Sequence, residues 1–261
     1  MTDFAINVFR LTNQRGYTVP PLNIGYIESD TGLEWRMTCG GTRAYLVRFG
    51  ESLEGTWKTQ SADGHFMIRR ITSSLLLAGV GLFQPEAMGR LFFKNVEGSV
   101  TWDSHLDRLD PLNDVKCDEA IDRTYDWCTT LCKHDPLRRA AEDAHLALSN
   151  PHEALVFVYR GLEWLKMSQK LSWKDMADDL GVPISHLREL KKTANYQSGV
   201  RHATDDGSKM RASAENYGTW VCAVFDAINA ARARLDPTFE KMSPQEVSNA
   251  VMRAMPVVPY P

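Results

Sequence analysis

A guanidinium beside an imidazole sets a permanent positive donor next to a group that titrates near neutrality, a pairing suited to phosphate chemistry. Arg201 and His202 supply that pairing within Asn195-Tyr196-Gln197-Ser198-Gly199-Val200-Arg201-His202-Ala203, which reads as a polar interruption between two helical patterns. The same two residues also suit the plainer task of capping helix ends with positive charge. Arg160 and Glu163 stand three apart on a predicted helix, where they can pair on its surface or, facing inward, position Arg201 and His202. Cys128, Cys132 and His134 follow Cys117 at helical spacing, but zinc sites use closer cysteine pairs and four ligands. Small side chains on a buried helix face account for them, so neither a metal nor another cofactor is expected. Asp103-Ser104-His105-Leu106-Asp107 reads as a solvated connector. The N-terminal half holds no glycine-rich phosphate loop, Gly-x-Ser-x-Gly elbow or His-Glu-x-x-His pair.

The elements that must position these residues are mostly helical. Asn150-Pro151-His152-Glu153 has the form of a capping box, predicting a helix with Leu155, Val158, Tyr159, Leu162 and Leu165 on one face. Ser172-Trp173-Lys174-Asp175 starts a short helix that Gly181 ends, and Pro183 restarts the chain as a helix towards Ala194. A long helix is expected from about Ser208 to Leu235, with the apolar seam Tyr217, Val221, Val224, Ile228, Ala231 and Leu235. Ser243-Pro244-Gln245-Glu246 caps a last short helix.

The N-terminal third reads differently. Phe4, Ile6 and Val8 alternate with Ala5, Asn7 and Phe9, and Pro20-Pro21 marks a turn. Strands are expected at Ile24 to Glu28, Leu33 to Cys39, Ala44 to Phe49 and His65 to Ile71, separated by Gly40-Gly41 and Asp63-Gly64 punctuation. Residues 72–94 fit a buried strand or a buried helix, with helix preferred. From Asp103 to Asp143 eleven Asp and Glu face six Lys and Arg, marking a connector. The expected organisation is α+β: a β-rich recognition or scaffold domain over 1–102, an acidic helical connector over 103–149, and a helical bundle over 150–261.

Charge limits the function classes. With 30 Lys and Arg against 33 Asp and Glu the net charge is −3, so bulk electrostatics draw the chain to neither nucleic acid nor membrane. Any such contact must be a local patch, and residues 184–202, with four Lys and Arg against one Glu, are the best one. Five scattered cysteines read as reduced thiols, the start Met1-Thr2-Asp3-Phe4 has no secretory pattern, and the apolar run Leu75 to Phe83 falls short of the roughly 18 residues of a membrane span. A cytoplasmic protein without membrane contact is the expectation.

Two resemblances add to this. Leu155 to Leu235, about a third of the chain, resembles the HEPN superfamily through Phe157-Val158-Tyr159-Arg160-Gly161-Leu162-Glu163, the order of helices and the Asn195 to Ala203 segment. The resemblance implies a four-helix bundle, a homodimer and a metal-independent ribonuclease site, with Arg201 and His202 as phosphate binder and acid/base and Asn195 and Glu163 as orienting groups. In the family an Arg precedes the His by four to six residues, whereas positions 195 to 198 hold none and Arg201 adjoins His202. A noncatalytic dimerisation or sensing bundle is therefore an open alternative. Methylamine-utilisation accessory proteins are similar through Tyr159 to Glu163 and Arg201-His202-Ala203. The second resemblance is to a helix-turn-helix. Ala177, Gly181, Val182, Ile184 and Leu187 fall at its small, turn and packing positions, and Ser185, His186, Arg188, Lys191 and Lys192 lie on its reading helix. RNA is the partner implied by the first resemblance and DNA by the second. Exposure of Arg188 and Lys192 separates a groove-reading helix from one occluded in a bundle.

Overall fold

The computed structural model describes residues 2–14, 16, 19–27, 34–50, 57–96, 117–150, 153–200, 217–239 and 241–255. The chain is α+β, with an N-terminal antiparallel sheet followed by a multi-helix region, and it divides into two compact units, Met1–Thr129 and Thr130–Pro261. The division falls inside the stretch read from sequence as an acidic connector.

In the first unit, β1 (Thr2–Thr12), β2 (Val19–Ile27), β3 (Glu34–Gly41), β4 (Arg43–Gly50) and β5 (Gln84–Val96) form one sheet in the order β2-β3-β4-β1-β5. Every neighbouring pair is antiparallel. Register places Phe9 opposite Ala44, Ala44 opposite Cys39 and Cys39 opposite Leu22, so four strands contribute one buried row. Asn7 and Leu11 share that face by the two-residue period of a strand. Gly41 makes the β3–β4 turn at φ 61°, in the left-handed region glycine adopts without penalty. Pro20 and Pro21 do not form the expected turn. They lie in β2, an edge strand, where register shifts between Val19 and Leu22, and an edge position tolerates the missing N–H.

Helix α1 (Trp57–Leu77) corrects another expectation, since His65 to Ile71 is helical. Met67, Ile68, Ile71 and Leu75 are buried at helical, not alternating, spacing. Gly64 is no turn residue: a Cβ there would come within 3.0 Å of the Asn7 side chain, so the glycine lets α1 approach the sheet. His65 meets the Phe9 ring edge-on at 5.5 Å between centroids. The helix preferred for residues 72–94 holds only as far as Leu77. Gly79 and Gly81, at φ 78° and 151°, then turn the chain into β5, which pairs with β1. Helix α2 (Cys117–Lys133) buries Trp127 and Cys128, and its Tyr125 hydroxyl accepts from the Asn23 backbone N–H at 3.2 Å.

The second unit is built from α3 (Asp135–Ser149), α4 (Ala154–Ser168), α5 (Trp173–Asp179), α6 (Ile184–Val200), α7 (Tyr217–Leu235) and α8 (Pro244–Ala254). Helix α4 touches α3, α6 and α7, while α8 packs on α7. Close approach follows from small residues: Ala140, Ala141, Ala144 and Ala147 line the buried face of α3. At Gly161 of α4 a Cβ would stand 3.1 Å from Val224 Cγ2 and 3.5 Å from the Ala140 carbonyl oxygen. Leu155, Val158, Leu162 and Leu165 of α4 and Val221, Val224, Phe225 and Ile228 of α7 complete the core. Each such large apolar side chain contributes about 1.5–3 kcal/mol on burial.

The helix starts predicted at Ser172 and Ser243 are present, and each is a capping box closed by the acid three residues on, the form predicted at Asn150. At Asn150 itself the box is absent. Asn150 ends α3, donating its backbone N–H to the Leu146 carbonyl at 2.9 Å, and Glu153 precedes α4 without a side-chain cap. Helix α6 continues to Val200, so residues 195–200 extend a helix where a polar interruption was expected. The start expected for α7 near Ser208 lies outside the described residues, whose helix begins at Tyr217. Among the described residues, no helix is long and apolar enough to cross a membrane.

Candidate nucleic-acid interface on the helical unit

Helix α5, the turn after it and α6 form two helices joined by a short corner. Ser172 accepts from the Asp175 N–H at 3.1 Å while the Asp175 carboxylate accepts from the Ser172 N–H at 2.8 Å. Hydrogen bonding from the Ser172 side chain and backbone N–H holds the Asp175 carboxyl below the ordinary aspartate value. Gly181 at φ 64° makes the corner, and the Val182 N–H closes on the Ala177 carbonyl at 3.0 Å. Met176, Ala177, Leu187, Leu190 and Ala194 are buried.

Among residues 184–195 of α6, whose burial is described, a narrow stripe is covered. Ser185, His186, Arg188, Glu189, Lys191, Lys192 and Asn195 are all exposed. Ser185, Arg188, Lys192 and Asn195 recur at i, i+3, i+7 and i+10, which places them on one helix face, with Lys191 at its margin. By helical spacing Glu189 and Lys191 lie on opposite margins of that face, about equally far from its centre, and Glu189 stands three residues from Lys192. Three cations thus outnumber one acid there, and such an array suits the regular negative charge of a sugar-phosphate backbone.

Helix α4 carries the other predicted polar residues, and its pairing differs from expectation. Arg160 and Glu163 do not pair with each other. Glu163 accepts from the Tyr159 hydroxyl at 3.0 Å, and burial together with that carboxylate pushes the tyrosine up to about 12. Arg160 instead grips Asp143 of α3, its Nε donating to Oδ1 at 3.0 Å and Oδ2 at 2.9 Å, with a further bond from Nη2. The Asp143 side chain is 4% exposed and Arg160's is 46% exposed, so the carboxylate is the buried partner. Burial raises the Asp143 carboxyl above the usual range, against the pull of Arg160 and of a hydrogen bond from Trp164. Arg139 lies over the Trp164 ring, 4.5 Å from its centroid, and Arg160 over Phe157 at 5.1 Å.

Of the residues selected from sequence, Arg188, Lys191, Lys192 and Asn195 share one helix in the exposed stretch of α6, and Glu163 sits on α4. Arg201 and His202, which follow Val200 in the chain, lie outside the described residues, as does Asp103 to Asp107. Of the apolar seam of α7, Val221, Val224, Ile228 and Ala231 are buried within the unit, while Leu235 is exposed. Cys128 is buried and Cys132 half-buried, neither is joined in a disulfide, and no three metal-binding side chains gather among the described residues. Asp143 was missed from sequence. Its signal was present: an acid within the buried series Leu137, Ala140, Ala144 and Ala147 of an amphipathic helix needs a partner.

With this geometry in view, comparison with known proteins adds no identity. No family model, curated protein or solved structure matches the chain.

Proposed function

We propose that the helical unit is a HEPN-type module that associates with RNA, holding the sugar-phosphate backbone along the exposed face of α6. The observation that carries this reading is the outward array of Arg188, Lys191 and Lys192, continuous in helical spacing with Asn195 and leading in sequence to Arg201-His202. Long cations on one exposed face can each take a phosphate, and Asn195 adds an amide donor and acceptor for a base edge or a 2′-hydroxyl. Where catalysis occurs, His202 handles the proton of the attacking 2′-hydroxyl and Arg201 balances charge on the phosphate. That chemistry needs no metal. Binding without cleavage is the outcome if an adjacent Arg and His cannot reach both positions.

A second reading, a helix-turn-helix regulator of DNA, is favoured by the same exposure of Arg188 and Lys192, which a groove-reading helix requires, together with the corner before α6. The Gly181 corner, the buried Ala177 and Leu187, and the broad exposure of α6 fit a helix able to enter a major groove about 12 Å wide. One experiment separates the two. The protein is incubated in excess chelator with labelled mixed single-stranded RNA and, separately, with duplex DNA. Cleavage that His202→Ala abolishes while leaving the protein folded supports the nuclease form, and bound but intact RNA supports association alone. Preference for the duplex supports the second reading, and binding to neither defeats both.

A further inference from the structure

We propose that Arg234 is a positioning residue, a latch from the end of α7 to the end of α5 that fixes the direction in which α6 offers its cations. The inference rests on the reading of α6 as a nucleic-acid face. Helix α5 has 7 residues, too few to be stable by its own hydrogen bonds, so its attachments set its orientation. Its first residue is held on α4: the Trp173 ring stacks on Tyr159 with centroids 5.4 Å apart and planes 18° from parallel, and the Lys166 ammonium lies 5.5 Å from the Trp173 centroid. Its last residue is held on α7, where the Arg234 guanidinium pairs with Asp179 and also donates to the Gln169 side chain just beyond α4. One planar fork therefore ties together three pieces of chain, a task that suits Arg better than Lys.

The corner transmits that restraint. The Gly181 N–H donates to the Asp178 carbonyl at 3.2 Å and the Val182 N–H to the Ala177 carbonyl at 3.0 Å, which leaves little slack between Asp179 and the start of α6. Over its first three turns helix α6 buries Leu187, Leu190 and Ala194, so a shift of α5 at its start bears directly on the stretch that carries the cations. The side chains of Arg234 and Asp179 are 44% and 33% exposed, so the pair adds little to global stability. Its consequence lies in the geometry of α6.

The test uses the full chain and fluorescein-labelled single-stranded RNA, with affinity read by anisotropy across a salt series and melting temperature measured in parallel. Arg234→Gln is expected to weaken binding about twofold to fivefold, the scale of a partly exposed ion pair, with the salt slope of wild type. Asp179→Asn should weaken it as well, although removing an anion near a polyanion would by charge alone strengthen it. The double reversal Arg234→Asp with Asp179→Arg should recover affinity. Lys192→Gln, by contrast, should lower the salt slope, because Lys192 is placed at a phosphate. Tighter binding by Asp179→Asn, or a slope loss in Arg234→Gln equal to that in Lys192→Gln, overturns the latch. Should wild type bind no RNA, the reading of α6 fails, and hydrogen exchange decides the latch separately: Arg234→Gln should speed amide exchange in α5 and early α6 but not in α4, and unchanged exchange overturns it.

Discussion

Replacing Arg160 by Ala isolates a buried carboxylate, and the structure gives both the size and the pH dependence of the damage. Asp143 would keep only the Trp164 hydrogen bond while remaining inside the α3–α4 contact. Breaking a fully buried pair costs about 3–5 kcal/mol. Arg160 is half exposed, so solvent screens the pair in wild type and less is lost when it is removed, about 2–3 kcal/mol at pH 7.5. Asp143→Asn should cost less, about 1 kcal/mol, because the amide leaves no buried charge and Arg160 can turn to water. Burial already holds the Asp143 carboxyl above its ordinary value, and loss of Arg160 raises it further. An acid whose folded pKa exceeds its unfolded value stabilises most below the unfolded value, and that contribution is lost as pH rises through the folded value. The Arg160→Ala deficit should therefore shrink between pH 7.5 and pH 5, while that of Asp143→Asn should grow, because the wild-type carboxyl gains stability as pH falls and the amide does not titrate. Amide exchange in α3 and α4, followed by mass spectrometry at both pH values, reads this without assuming that the two units unfold together. Equal cost for both variants at both pH values would refute the assignment of Asp143 as the uncompensated partner.

Two further outcomes follow from packing. Gly161→Ala forces a methyl against Val224 and the Ala140 carbonyl oxygen and should cost about 1–3 kcal/mol, read as a lower melting temperature, and an unchanged one would contradict the close α3–α4–α7 approach. Burial pushes the Cys39 thiol up to about 12, against a backbone hydrogen bond at Leu22, so a maleimide at pH 7.5 should label half-buried Cys132 before Cys39, which reacts only on unfolding, as peptide mapping will show.

Local rules explain what could be read from the chain and long-range contacts explain what could not. Ser172 and Ser243 announce their helices because a capping box is closed within four residues, and Gly181 marks a corner because its backbone needs φ above zero. Alternation in β1 is likewise local. Gly64 misled as turn punctuation because its purpose is contact with Asn7, far away in sequence, and the strand expected at His65 to Ile71 went with it. Asn150-Pro151-His152-Glu153 has the composition of a cap, yet the preceding helix claims Asn150. At the site, the exposed cations of α6 were legible as a basic patch. The partners of Arg160 and Arg234 were not, since Asp143 and Asp179 lie 17 and 55 residues from them and no periodicity links them.

The central claim is that the outward face of α6 holds a nucleic-acid backbone, and its most direct measurement is the salt dependence of RNA binding by wild type and by the variant Arg188→Gln, Lys191→Gln, Lys192→Gln. Each phosphate neutralised on a single strand, with release of its counterion, contributes about 0.7 to the slope of log K against log salt, so losing three cations should lower its magnitude by about 2. All three side chains are exposed, and the melting temperature should hold. A weaker complex with the flatter slope is the predicted result. An unchanged slope in a folded variant would contradict the account.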